Sequence, residues 1–410
     1  MRNVAPMVAA GLIGLSSLSF VSCGGGGGGA SVAPAPAPTN VVSVIVDAGP
    51  NSNSVNTLYA TVTVCVPGST TNCQTIDHIQ VDTGSAGLRI LSSVLTLSLQ
   101  VAMASDGNSL VECTQFVDGY SWGPIALADI QVGGEAASSV PVQVIGGSTF
   151  AVDPNCSATG TTAEDTVAAF GANGILGIGV FEQDCGSGCA PPNTANTFYY
   201  SCTAASVCAG TAVALNSQVL NPIRLFTTDN DGSIIDLPSV AAPGTTTLTG
   251  SLIFGIDTQT NNASGSETIL GVDLSYGDFT TVFNSQTLTR SFLDSGTNGI
   301  FFDYAALTVC SDPNFKGFYC PALPTSIAAT LTGTNNTSIT ESFTVDNAQT
   351  LATNNQTFSV LPTLAGTFST SSSNTSNTFD WGLPFYYGRR VFTAVENQRT
   401  AVGTGPYVAF

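Results

Sequence analysis

Positive charge is what this chain has least of. Lysine and arginine number eight against 27 Asp and Glu, for a formal net charge of -19, and Lys316 is the only lysine. Gripping a phosphate backbone takes clusters of cations, so this balance excludes a nucleic-acid partner. Histidine is scarcer still, with His78 alone. It would have to be the general base of any serine-type triad, and the alternation around it sets it on or beside a strand, partly exposed. A zinc site is disfavoured because His78 lies far in sequence from the cysteine-dense stretch 185–208. No metal and no cofactor is expected. Helical periodicity is also scarce, with Ala163 to Phe170 and Tyr304 to Cys310 the best short stretches. Beyond the first residues, no apolar run reaches the about eighteen residues that a bilayer span needs.

Met1 to Ser22 has one early cation, Arg2, and an uncharged, mostly apolar run from Val4 to Val21. Such a stretch reads as an export signal. Ser22 before Cys23 resembles the lipobox of bacterial lipoproteins, with Phe20 where leucine is usual, and the resemblance implies lipidation of Cys23. Gly24 to Gly29 and the alternating Ala33 to Pro38 then form a tether, flexible in its first part and stiff in its second. Gly24 in place of an aspartate fits sorting to the outer membrane. The expected setting is the cell envelope, held by a lipid anchor, with the protein a monomer.

Strand signals fill the rest. Tyr59 to Val66 alternates small or polar residues with Val62, Val64 and Val66 and breaks at Pro67 and Gly68. Similar runs recur at Ile79 to Val81, Ile125 to Val132, Pro141 to Ile145, Ser251 to Ile256, Phe292 and Leu293, Gly299 to Phe302, and Arg390 to Val395. Sheets packed on sheets, an all-β class, follow from this pattern. Eleven cysteines is an odd count, and giving Cys23 to the lipid leaves an even set suited to disulfides in an oxidising compartment. The close pairs Cys65 with Cys73, Cys185 with Cys189, Cys202 with Cys208 and Cys310 with Cys320 are the expectation, which leaves Cys113 with Cys156. Asp229-Asn230-Asp231-Gly232-Ser233 hints at calcium, but it lacks a complete ligand set and reads as a turn.

The informative feature is an internal echo. Asp82-Thr83-Gly84-Ser85-Ala86-Gly87-Leu88 is answered by Asp294-Ser295-Gly296-Thr297-Asn298-Gly299-Ile300. Each copy follows a strand-like approach, and each is followed far downstream by an apolar residue and a glycine, Leu176-Gly177 and Trp381-Gly382. Two such turns can bring two carboxyl groups together across a pseudo-twofold axis. Glycine permits the turn and lets a backbone amide approach, while Ser or Thr can donate a hydrogen bond to the carboxylate. Two carboxylates in contact cannot both ionise cheaply, so the pair holds one proton. One member can then activate water while the other protonates a carbonyl oxygen.

On these residues the chain resembles the pepsin-like aspartic proteases over nearly all of Val41 to Phe410, and within them a branch of bacterial lipoproteins. The resemblance implies a bilobal fold of two pseudo-twofold-related β lobes: an N-terminal lobe 41–220, a connection 221–250 and a C-terminal lobe 251–410, after a leader 1–22 and a tether 23–40. It implies catalytic aspartates Asp82 and Asp294, supported by Gly84, Ser85, Gly296 and Thr297, and a polypeptide substrate in the cleft between the lobes. A flap-like hairpin is implied at Phe116 to Gly123, with Phe116, Gly119, Tyr120 and Trp122 facing substrate. Two positions depart from the pattern. Phe116 stands where a tyrosine is usual, and Arg89 where the tryptophan that partners it is usual. Tyr120 or Trp122 is a candidate replacement. The expected activity is peptide-bond hydrolysis; the alternative is a noncatalytic, lipid-anchored binding protein on the same fold.

Overall fold

The computed structural model describes residues 39–410 apart from 118, 147–149, 159–161, 195, 205–206 and 369–376. The leader, Cys23 and all of the tether before residue 39 lie outside the described residues. In Leu58–Cys65, Val62 and Val64 point into the core while Thr61 and Thr63 face outward, the period of a half-buried strand. Gly68, at φ +77°, turns the chain back. Cys73–Asp82 then returns antiparallel, with Cys65 opposite Cys73 in a disulfide that closes the hairpin.

Both halves are built on the same three-strand core. In the first, Gly174–Ile178 runs parallel to Cys73–Asp82 and antiparallel to Ala86–Leu91, placing Gly177 beside Asp82. In the second, Thr378–Gly382 runs parallel to Gln286–Asp294 and antiparallel to Ile300–Phe302, placing Gly382 beside Asp294. Each aspartate therefore ends a strand buried between two others. Phe302, Phe379 and Trp381 stack under the second turn, with centroids 4.9 Å and 4.5 Å apart, and give it a stiff apolar floor.

A shared antiparallel platform joins the halves. Val41–Val46 pairs with Leu248–Phe254, which pairs with Gly232–Asp236, which pairs with Arg390–Ala394. Tyr407–Ala409 and Ile269–Gly271 extend it. The fold is mostly β, and every strand expected from the sequence is present. Of the two expected helices, one forms as Val167–Phe170, capped by the Thr166 side chain. The other does not: the segment from Tyr304 is a turn, with Val309 bridged to Tyr319 and Cys310 tied to Cys320. Ala348–Asn354 is the longest described helix, started by the Asn347 carboxamide on the Thr350 amide.

The ten described cysteines form the five expected disulfides, including Cys113–Cys156, and none is left for zinc. The Asp229–Ser233 stretch is a turn whose carboxylates are taken by the protein. Gln259 donates to Asp229 at 2.6 Å and the Ile256 amide to Asp231 at 2.8 Å.

Candidate active site

The two echoed turns have the same internal wiring. The Gly84 amide donates to Asp82 Oδ1 at 2.7 Å, and the Ser85 hydroxyl donates to Asp82 Oδ2. The Gly296 amide donates to Asp294 Oδ1 at 2.7 Å, and the Thr297 hydroxyl to Asp294 Oδ2 at 2.8 Å. The turns also face each other. A methyl group on Gly84 would lie 2.9 Å from the Asp294 carboxyl carbon, and one on Gly296 would lie 2.6 Å from Asp82 Oδ1. Each glycine thus leaves room for the opposite carboxyl, and the two aspartate side chains share a hydrogen bond.

Residues that the sequence reading passed over lock this contact. The Thr83 amide donates to Ser295 Oγ at 3.1 Å, and the Ser295 amide donates to Thr83 Oγ1 at 3.0 Å. Each hydroxyl in turn donates to the backbone of the opposite strand, Thr83 to Leu293 O at 3.1 Å and Ser295 to Val81 O at 2.9 Å. Four buried bonds cross the junction in matched pairs, which fixes the separation of the carboxyls. Gln80 adds a fifth crossing, to Gly296 O at 2.8 Å. The signal was in the sequence: the second residue of each motif copy is Ser or Thr, although only the fourth was assigned a role.

Asp82 is 5% exposed and Asp294 is partly exposed. Burial first, then the charge of Asp82, then the hydrogen bond between them hold the Asp294 carboxyl well above the ordinary carboxylate range. Such a pair retains one proton across a wide span of pH. Wired this way, it can polarise a water on one side and donate a proton on the other.

The hairpin predicted from 116 to 123 forms, with the Phe116 amide donating to Gly119 O at 2.8 Å. Its aromatic residues divide between two clusters. Phe116 packs edge-on against Phe170 at 6.0 Å. Tyr120 and Trp122 belong to a different cluster, around the Cys113–Cys156 disulfide. The Trp122 indole donates to Phe150 O and its ring meets Tyr200 at 5.0 Å. Gly119 is buried against Glu164, whose carboxyl would lie 2.5 Å from an added methyl group.

Arg89 is 1% exposed in a strand, Ala86–Leu91, that is buried at every position. Its guanidinium donates to Glu112 Oε1 at 2.6 Å, Asp184 Oδ2 at 3.0 Å, Thr114 Oγ1 at 2.9 Å and Ala86 O at 2.8 Å. Tyr199 closes the network by donating to Asp184 at 2.7 Å. Arg89 therefore ties the strand after Asp82 to Ser109–Gln115, the first strand of the hairpin, and to the cysteine-dense segment. An arginine inside an otherwise apolar strand was the available signal.

Gly119-Tyr120-Ser121-Trp122-Gly123 matches the Gly-x-Ser-x-Gly pattern of serine hydrolases, a match the sequence reading overlooked. Ser121 is fully buried mid-strand, with its hydroxyl donated to Gln143 Oε1 at 2.8 Å. His78 is partly exposed on a strand, with Nε2 3.2 Å from Asp47 Oδ2. The geometry of an exposed nucleophile on a strand-to-helix turn is missing there.

A family model described as "Protein of unknown function (DUF3443)" matches residues 36–410. No curated protein matches the chain. Among solved structures, the aspartic proteinase from Irpex lacteus superposes with a TM-score of 0.51 at 14% identity, covering 90% of this chain and 96% of that one. At that identity the likeness carries the fold, a two-barrel aspartic-proteinase architecture, and leaves activity to be argued from the site.

Proposed function

The chain belongs to the DUF3443 family, and from the geometry of its paired turns we propose that it is an aspartic endopeptidase acting on extended polypeptide bound between its halves. The observation that carries this reading is the reciprocal fit of Gly84 against Asp294 and Gly296 against Asp82. One proton shared by the pair suits a water-mediated attack without a covalent intermediate. The ionised carboxyl takes a proton from water as it adds to the peptide carbonyl. The protonated carboxyl gives its proton to the carbonyl oxygen, and the tetrahedral species collapses when the leaving nitrogen is protonated. Gly84, Ser85, Gly296 and Thr297 hold the carboxyl oxygens still, so little reorganisation is needed at the moment of reaction. Five disulfides support an exported setting, and lipidation at Cys23 with envelope attachment completes the proposal.

The test is cleavage of an unfolded protein across a pH series by wild type, Asp82→Asn and Asp294→Asn. The expected result is hydrolysis by wild type alone. Equal turnover in all three removes the proposal. Phe116, which has no hydroxyl and is packed on Phe170, favours the second reading, a binding protein that keeps the fold. Peptide binding with no cleavage at any pH would select it.

A further inference from the structure

A third carboxyl stands beside the pair. Asp380 lies in Thr378–Gly382, one row from the second turn: Asp380 is opposite Phe292 where Gly382 is opposite Asp294. Side chains two apart share a face of a strand, so Asp380 is on the face of Asp294. It is 4% exposed, and its Oδ1 has no hydrogen-bond partner. The equivalent position in the first half is Ile175, which is opposite Gln80 where Gly177 is opposite Asp82. The second half therefore places an acid where the first has a hydrocarbon, and an acid buried without purpose costs stability.

Its contacts are specific. Asp380 is hydrogen-bonded to the Thr297 side chain, and the Thr297 hydroxyl donates to Asp294 Oδ2 at 2.8 Å. A hydroxyl has one proton to donate. While Thr297 donates to Asp294, its bond with Asp380 requires Asp380 to be the donor and thus protonated. If the Thr297 hydroxyl turns toward Asp380, Asp294 must hold the proton instead. The two carboxyls are coupled through one rotor. Burial, the charge of Asp294 and then that of Asp82 work against ionising Asp380. The buried phenol of Tyr386 feels its charge as well. No cation is among the groups acting on it.

We propose that Asp380 is a positioning residue that acts through Thr297 on Asp294, serving as a proton reserve that extends the pH range in which the catalytic pair keeps its single proton. The proposal rests on the peptidase reading, and it assigns Asp380 no contact with substrate. As pH rises, a proton lost from the pair is replaced from Asp380: the O–H bond of Asp380 breaks, Thr297 accepts that proton, and the Thr297 proton passes to Asp294. Charge is then left on Asp380, which disfavours further ionisation of Asp294.

The experiment compares pH profiles of kcat for wild type, Asp380→Asn and Asp380→Ile, the last copying Ile175. The alkaline limb is expected to move toward acid by roughly one pH unit in both variants, with kcat at the optimum largely kept. Superimposed limbs overturn the proposal. A second readout separates this from failure of the peptidase reading. Carboxyl carbon NMR of aspartate-labelled protein should show Asp294 and Asp380 titrating as linked groups in wild type, whether or not it cleaves anything. If Asp380 instead titrates independently of Asp294, the reserve does not exist, and this holds even if the variants fail to fold. No cleavage by wild type, with linked titration intact, removes the activity and leaves the coupling.

Discussion

Replacing Arg89 with methionine should be one of the most damaging single changes outside the aspartate turns, and its damage should depend on pH. The guanidinium is the one cation facing two buried carboxylates, with Glu112 fully buried and the Asp184 side chain 3% exposed. Even in the intact network, burial and the charge of Glu112 outweigh Arg89 and hold Asp184 well above the ordinary carboxylate range. Methionine keeps much of the volume but leaves both acids uncompensated. Removing one partner of a buried ion pair costs about 3–5 kcal/mol, a large part of the stability of a typical domain. The sign with pH follows from linkage. An acid whose folded pKa lies above its unfolded value, about 4, stabilises fully below that value and loses the contribution as pH rises toward the folded one. Without Arg89 both acids move further up. The deficit should therefore be small near pH 4 and reach several kcal/mol by pH 7. Urea unfolding of both proteins at the two pH values measures it. A deficit under about 1 kcal/mol at pH 7, or one larger at pH 4, would refute the assignment of Arg89 as the charge that holds this network.

The aspartate junction should be equally intolerant of volume. Gly84→Ala and Gly296→Ala each set a methyl group within 2.9 Å of the opposite carboxyl, so peptide cleavage should fall by on the order of 10²-fold as the pair is pushed apart, while far-UV circular dichroism stays unchanged; full activity in either variant would mean that the turns do not meet. Whole-protein stability should be greatest in acid. Asp184, Asp294 and Asp380 are all raised, first by burial, and each contribution is complete below about pH 4 and lost on the way up. Asp106, shifted the other way, sits at the surface. The thermal midpoint should accordingly drop between pH 4 and pH 8, and a rise over that window would contradict these directions.

What the sequence made legible follows from where its information is local. The strands could be read because Val62 and Val64 alternate with threonines on a half-buried surface, and the paired turns because Asp-Ser/Thr-Gly-Ser/Thr is compact and occurs twice. Cysteine pairing was legible because four of the five disulfides join residues at most ten apart. The crossing bonds of Thr83 and Ser295 were not, since each joins atoms more than two hundred residues apart. Asp380 was hidden for a related reason: a lone acid before Trp381 has no meaning until a parallel strand sets it one row from Asp294. Arg89 read as a missing tryptophan, because only packing reveals Glu112 and Asp184 around it. The segment from Tyr304 to Cys310 showed weak helical spacing and lost it to the Cys310–Cys320 staple and the bridge from Val309 to Tyr319. Tertiary constraints there outweigh a short stretch of propensity.

The central claim is that Asp82 and Asp294 act as one singly protonated unit on a tetrahedral species. Affinity for a statine-type peptide, set against the same peptide without its hydroxyl, tests this directly, because a transition-state mimic gains only where the machinery is assembled. Calorimetry at acidic pH should show wild type favouring the hydroxyl-bearing peptide by about 100-fold or more, with the preference lost in Asp82→Asn and Asp294→Asn. Equal affinity for both peptides in wild type would contradict the account.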